Sequence, residues 1–383
     1  MHSTRVALRV LRYGSYYMKL PKGFSVNSMH AGIKKKGYDL GLISCPDGAR
    51  AVGLFTKNVN PSYSITVSKK NISQRIYAVL AHSGNANCFT KAEDLKSTED
   101  LCKAVAKNLG ITPSNVLIAS TGIIGRAMPF ALIEKKIPAL CRKPDDNFAL
   151  FAQSIRTTDT FSKISTKTIS GKNGPVRIAG CAKGAGMIQP DMATMLAFVL
   201  IDADVSRPVL KKIGSSAVAR SFNSISVDGC MSTNDCIFFL SSGKAEIGNS
   251  PAAIRRLERA IEEVCVDLAK MIVSDGEGAT KTARILISGA YSQRQAQQAF
   301  RAISSSVLFR SALFGENPNW GRIVAALGAV GIALKENKFK VTAGSLKERN
   351  VTIKVHLGLG THTWQGWCSD ITPRYVHINA GYS

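Results

Sequence analysis

Lys183-Gly184-Ala185-Gly186-Met187-Ile188 runs through Gln189 into Pro190-Asp191-Met192-Ala193-Thr194-Met195-Leu196, and the chemistry of this stretch decides what kind of chain it belongs to. Its Gly184 to Gly186 pair is not a dinucleotide fingerprint, because neither the third glycine nor a suitably spaced acidic residue follows. The apolar run beyond it, Met192 to Leu200, is the longest in the chain and falls far short of the roughly 20 residues a spanning helix needs. There is no Gly-x-Ser-x-Gly elbow, no His-Glu-x-x-His and no P-loop anywhere. A hydroxyl nucleophile in such a chain needs a base other than histidine. One solution is a threonine whose own α-amino group, freed by scission of the preceding peptide bond, deprotonates its Oγ. An α-amino group suits the task, since its pKa of roughly 7.7 to 8.0 leaves free base near neutrality.

Outward from this stretch, clustered Gly, Ser, Thr and Asn interrupt the periodic pattern at 83–87, 120–125, 227–235 and 275–281, each alone readable as a tight turn. Between them, Ser250-Pro251 followed by Ile254, Leu257, Ile261, Val264, Leu268 and Met271 predicts a capped helix with one apolar stripe. A second helix is expected from about Ser97 to Leu109, stopped by Gly110. Val351, Ile353, Val355 and Leu357 alternate as a strand does, and 284–287, 237–240 and 78–80 are short apolar runs beside turn residues. Helices and strands interleave without a fixed repeat, so the fold class is α/β with mixed α and β layers.

The chain has 383 residues, 45% apolar and 20% charged, which excludes disordered, collagen-like and coiled-coil classes. Its 50 basic against 26 acidic residues give +24, but the lysines and arginines are scattered, with no basic helix interleaved with aromatics. A basic nucleic-acid-binding protein is therefore the weaker rival, and neither nucleic acid nor membrane is expected as a partner. Nine cysteines without a Cys-x-x-Cys pair read as core fillers in a reduced compartment, and no metal is expected because the histidines sit apart. The first 38 residues are basic with no acidic residue before Asp39, so residues 1–21 are a candidate targeting or disordered segment. Cytoplasm and mitochondrial matrix both fit.

The motifs, in order, resemble those of one family. Ser-Gly-Asn-Ala-Asn at 83–87, Ser-Thr-Gly-Ile-Ile-Gly at 120–125, Thr-Thr-Asp-Thr at 157–160, the 183–196 stretch, Ser-Thr-Asn-Asp at 232–235, Asp-Gly-Glu-Gly-Ala-Thr-Lys at 275–281 and Leu-Phe-Gly-Glu-Asn-Pro-Asn-Trp-Gly-Arg at 313–322 look like the ornithine acetyltransferases, or glutamate N-acetyltransferases, of arginine biosynthesis. The resemblance runs from about Lys22 to the C-terminus. It implies a self-cleaving, amino-terminal-nucleophile-type fold in which scission after Ala193 yields an α chain, 1–193, and a β chain, 194–383, that begins with Thr194 as nucleophile. The backbone amides of Thr121 and Gly122 would form the oxyanion hole. Substrate contacts would fall to Lys183, Thr194, Glu277, Asn379 and Thr157 or Thr158, with Lys183 suited to an α-carboxylate and Glu277 to the amine of ornithine.

The resemblance further implies ping-pong transfer of acetyl from N2-acetylornithine to L-glutamate through an acetyl-threonine, no cofactor, and an α2β2 heterotetramer. It leaves open whether acetyl-CoA also serves as donor. An amidohydrolase or aminopeptidase with the same nucleophile, and water as acceptor, is the enzyme rival. Cys230-Met231 and Cys236 depart from the family pattern, and the chain stops about one residue earlier than that pattern, so the last substrate-binding hydroxyl is either missing or supplied by Ser383 with shifted geometry.

Overall fold

Strand β2 (Leu40–Phe55) organises the protein, because its sixteen residues are shared between two halves of one sheet. Its first half pairs with β1 (Ser25–Met29) and β3 (Ile76–Asn85), and β4 (Val116–Ile123) lies parallel to β3. The register on β3 slips between Ser44 and Ala49, after which β2 pairs with β9 (Cys236–Ala245) instead. From β9 the sheet continues through β7 (Leu196–Ala203) and β6 (Gly174–Lys183) to β5 (Lys163–Gly171). The computed structural model describes residues 19–142, 144–189 and 195–381. Ala193, Thr194 and Ser383, and all but the end of the 1–21 segment, lie outside the described residues.

Side-chain alternation turns the two halves toward each other. Val79, Ala81, Leu117 and Ala119 share a core with Leu196, Phe198 and Phe238, where the Phe198 ring lies 5.2 Å from Phe151 and 5.9 Å from Phe238. The alternate residues of β3 and β4, Leu80 and Ile118 among them, pack outward on α1 (Tyr63–Asn71), α2 (Glu93–Leu109) and α3 (Phe130–Arg142). On the other side Val199, Ile201 and Phe239 meet α5 (Arg207–Arg220) and α6 (Pro251–Ser274). The layers are thus helix, sheet, sheet, helix, closed at one margin by the short α4 (Phe148–Ser154).

Helix α6 forms where the sequence predicts it. Ser250 Oγ accepts the Ala253 amide at 3.1 Å, and Leu257, Ile261, Val264 and Leu268 are fully buried. A cap contributes about 1 kcal/mol, whereas each buried Leu or Ile contributes about 1.5–3 kcal/mol, so the packed face decides the helix. Helix α2 starts at Glu93, four residues ahead of the expected Ser97, with Glu93 and Asp94 in a first turn that favours negative charge.

A smaller five-stranded sheet, in the order β11 (Lys340–Ala343), β12 (Asn350–His356), β10 (Thr282–Ala290), β13 (His362–Ser369), β8 (Ile225–Ser226), carries α7 (Gln293–Ser305), α8 (Val307–Phe314) and α9 (Gly321–Ala329) on its own core. Arg310, only 2% exposed, joins this unit to the rest by donating to the carbonyls of Val227, Ser369 and Asp370. Helix α10 (Pro373–Ala380) closes the described chain. Seven of the nine cysteines are buried, as core fillers should be, but Cys230 is exposed and Cys141 half-buried, which corrects the expectation for those two.

His82 is fully buried in β3 with no hydrogen-bond partner on either ring nitrogen among the described residues, and burial lowers it from 6.5 to about 4. The unfolded chain therefore binds one more proton than the folded chain between these values, so stability falls as pH drops from about 6.5 toward 4. The span corresponds to roughly 3 kcal/mol. Denaturant titrations at pH 7 and pH 4.5 should show this loss in the parent, and a clearly smaller loss in His82→Leu. An equal loss in both would assign the acid sensitivity elsewhere.

Candidate functional site

Strands β4 and β6 end at the same side of the sandwich, where Lys183, the last residue of β6, donates from Nζ to Oγ1 of Thr121 near the end of β4 at 3.2 Å. Ser120, one residue earlier on β4, is held by a buried cluster in which its Oγ receives Ser64 Oγ at 2.7 Å and Asn234 Nδ2 at 2.9 Å and donates to the Ala86 carbonyl at 2.9 Å. Asn234 Nδ2 also reaches the carbonyls of Ala86 and Ser120, at 2.6 and 2.8 Å. The Ser-Thr-Asn-Asp motif thus clamps the end of β4 to the loop after β3.

Gly122 follows at φ +138°, a conformation that favours glycine, and an added Cβ would lie 2.4 Å from the carbonyl carbon of Gly84. Close approach of these two backbones requires glycine here. The first asparagine of the 83–87 motif shapes the neighbouring turn: Asn85 Nδ2 donates to the carbonyls of Arg126 and Ala127, both at 3.0 Å, while its Oδ1 accepts the Asn87 amide at 2.8 Å.

Beyond Lys183 the glycine-rich turn is held from two directions. Asp159 Oδ1 accepts the Gly184 amide at 2.7 Å and its Oδ2 accepts the Thr157 amide at 3.1 Å, so one carboxylate ties the half-buried Thr157-Thr158 pair to the Lys183 turn. Asp228 accepts the amides of Met187 and Ile188. Glu277 donates its amide to the Ala185 carbonyl at 2.7 Å, and its carboxylate lies where a Cβ on Gly186 would be, 2.5 Å away. Asn379 on α10 donates to that carboxylate at 2.9 Å. On the far side of residues 190–194, the Met195 amide donates to Asp235 Oδ1 at 2.8 Å.

Thr121, Gly122, Thr157, Thr158, Lys183, Glu277 and Asn379, scattered over more than 250 positions, are therefore joined through short links at one end of the sandwich. Thr194, Ala193 and Ser383 lie outside the described residues.

The electrostatics are those of a buried charged site. Lys183 is 3% exposed, and desolvation, reinforced by the Lys163 charge, draws it below the ordinary lysine value, opposed by Asp159, Asp235 and Glu277. Burial alone would raise Asp159, yet Lys163, Lys183 and the Gly184 amide outweigh it and hold the carboxyl well below the usual carboxylate range. Burial lifts Asp235 well above that range, against the Met195 amide and Lys183. Such opposed shifts of neighbouring carboxyls are typical of sites that bind charge and move protons.

Sequence reasoning quoted Asp159, Asn234 and Asp235 inside their motifs without giving them work, and the motif itself was the signal. It missed Lys163 entirely. Asp275-to-Lys281 was expected mainly for Glu277; its other residues brace the turn, with Thr280 and Lys281 amides on Asp370 and Lys281 Nζ 2.9 Å from Glu316 of the 313–322 motif. Cys236 opens β9 with its thiol in the apolar core.

Residues 25–383 match the ArgJ family model. An arginine biosynthesis bifunctional protein of Bacillus thuringiensis is 36% identical, over 94% of this chain and 95% of that one. The protein of the same name from Nitratidesulfovibrio vulgaris is 37% identical over 94% and 98%. Among solved structures, a chain of the Bacillus halodurans arginine biosynthesis bifunctional protein aligns with 45% of this chain and 92% of its own length at 32% identity and a TM-score of 0.43.

Proposed function

The chain belongs to the ArgJ family, and on that premise we propose that it is an ornithine acetyltransferase of arginine biosynthesis, moving acetyl from N2-acetylornithine to L-glutamate through Thr194. Scission between Ala193 and Thr194 frees the α-amino group of Thr194. That amine takes the proton from Oγ as Oγ attacks the acetyl carbonyl, and the amides of Thr121 and Gly122 receive the negative charge of the tetrahedral intermediate. Its collapse expels ornithine, whose α-nitrogen takes the proton back from the Thr194 amine, and leaves an acetyl ester on Oγ. Glutamate then attacks the ester through its own α-amine and the same steps run in reverse. Lys183 holds the substrate α-carboxylate, while Thr157 or Thr158 and Asn379 contribute hydrogen bonds.

What supports these roles is the bond between Lys183 Nζ and Thr121 Oγ1, which sets the carboxylate-binding cation beside the oxyanion turn. Pairing of Lys183 with Leu196 between β6 and β7 supports the two cleavage products staying in one sheet. Assembly as α2β2, with Ser383 as the last substrate-binding hydroxyl, completes the proposal; sizing of the cleaved protein tests the former. No cofactor takes part in these steps, and acetyl-CoA would enter, if used, as a donor at the same ester.

Incubating the protein with N2-acetylornithine and glutamate should release ornithine and N-acetylglutamate in equal amounts. Release of acetate in place of N-acetylglutamate would favour the hydrolase. Glu277 gives a sharper test, because its carboxylate suits the cationic side chain of ornithine and not the anionic one of glutamate. A hydrogen bond to a charged group contributes roughly 1.5–3 kcal/mol, so Glu277→Gln should lose about ten- to a hundred-fold in kcat/KM for ornithine release. Acetylglutamate formation from pre-acetylated enzyme should change far less. Equal losses in both half-reactions would make Glu277 a brace for the Gly186 turn instead.

A further inference from the structure

Behind the Lys183 turn lies a group of buried charges with no part in the acetyl-transfer steps. Lys163, the first residue of β5, is fully buried, and its Nζ donates to Asp159 Oδ1 and Asp275 Oδ2, both at 2.6 Å. Asp275 also receives the Thr160 amide and hydroxyl, and Asp159 receives the amides of Thr157 and Gly184. One ammonium therefore couples the 157–160 loop, the Gly184 turn and the turn that carries Glu277. Two carboxylates share that ammonium, which leaves the triad one negative charge in excess. Lys183 is the cation that faces it.

We propose that Lys163 is a positioning residue of this site, acting through Lys183: it draws Asp159 and Asp275 together in a triad of net charge minus one, whose carboxylate excess keeps Lys183 cationic and aimed at the substrate carboxylate. A lysine this deeply buried would otherwise lose its proton easily. The other charged groups facing Lys183 are Asp235 from the loop before β9, Glu277 from the turn after α6, and Lys34 from the loop before β2, whose Nζ is held by the Arg156 carbonyl at 3.0 Å. Burial drives Asp235 toward the neutral form and draws Lys34 below the ordinary lysine value as well. Lys34 adds a repelling charge. Asp159 is the largest of the charges that favour the Lys183 cation, and the triad it belongs to spans both cleavage products, since Asp159 and Lys163 precede Thr194 and Asp275 follows it.

The inference rests on the acetyl-transfer proposal, and charge changes of opposite sign separate the two. N-acetylglutamate serves as donor and ornithine as acceptor, because the donor carries no amine of its own to titrate. In ping-pong transfer its kcat/KM reports the free enzyme alone. Asp275→Asn makes the triad neutral and should move the alkaline limb of that profile down by about one pH unit. Lys163→Met deepens the negative charge and should move it up, while the double variant restores net minus one and returns the limb to within a few tenths of the parent. Lys163→Arg, keeping the charge, should leave the limb in place.

A limb that stays put in Asp275→Asn, or shifts the same way in both single variants, overturns the proposal and assigns the triad to folding alone. Should Lys163→Met fail to fold, the direction of the Asp275→Asn shift decides by itself. A parent protein that moves no acetyl group from either donor would overturn the proposed function rather than the role of Lys163.

Discussion

Thr194→Ala remains one uncut chain of 383 residues and transfers acetyl at a rate lower by on the order of 10⁴-fold or more. Two losses coincide in this variant. The hydroxyl that attacks the acetyl carbonyl is gone, and without it the preceding peptide bond is not opened, so no α-amine is available as base. Thr194→Ser keeps both groups and should restore scission together with part of the activity. A denaturing gel and an ornithine-release assay on the three proteins check this. A Thr194→Ala protein that is cut and active would require a different nucleophile.

Gly122→Ala should lower kcat for the acetylation half-reaction by about 10²–10³-fold, the usual scale for losing one oxyanion donor. The added methyl would stand 2.4 Å from the Gly84 carbonyl carbon and 2.5 Å from the Asn85 nitrogen, both backbone atoms, so the end of β4 has to move. The φ of +138° adds strain for any residue with a Cβ. The effect should fall on kcat rather than KM, because the charge these amides meet exists only in the transition state. A loss below ten-fold, with KM carrying it, would remove the Gly122 amide from the oxyanion hole.

Much of this cluster was legible in the sequence, because its turns break periodicity with conspicuous residues. Gly122, Lys183 and Glu277 all stand in such breaks, and the structure brings their turns together. The α6 stripe and the alternation of β12 were equally plain, since burial on one face writes its period into the sequence. Strand β2 was not legible as one element. Pro46-Asp47-Gly48 reads as a turn between strands, whereas the chain passes through it from one half of the sheet to the other. Lys163 was hidden for a related reason. Lys163-Ile164-Ser165-Thr166-Lys167 has the composition of an exposed strand, and the partner that explains its buried lysine, Asp275, is 112 residues away. Arg310 is a parallel case, a buried cation satisfied by backbone carbonyls that carry no sequence signature.

In the proposed transfer, acetyl passes through the hydroxyl of Thr194. Mass spectrometry of the protein after brief incubation with N2-acetylornithine alone tests it most directly. Transfer through Thr194 gives a fragment beginning at Thr194 that carries one acetyl group, an unmodified 1–193 fragment, and loss of that acetyl when glutamate is added. A fragment that never acquires acetyl, while transfer proceeds only with both substrates present, would contradict it.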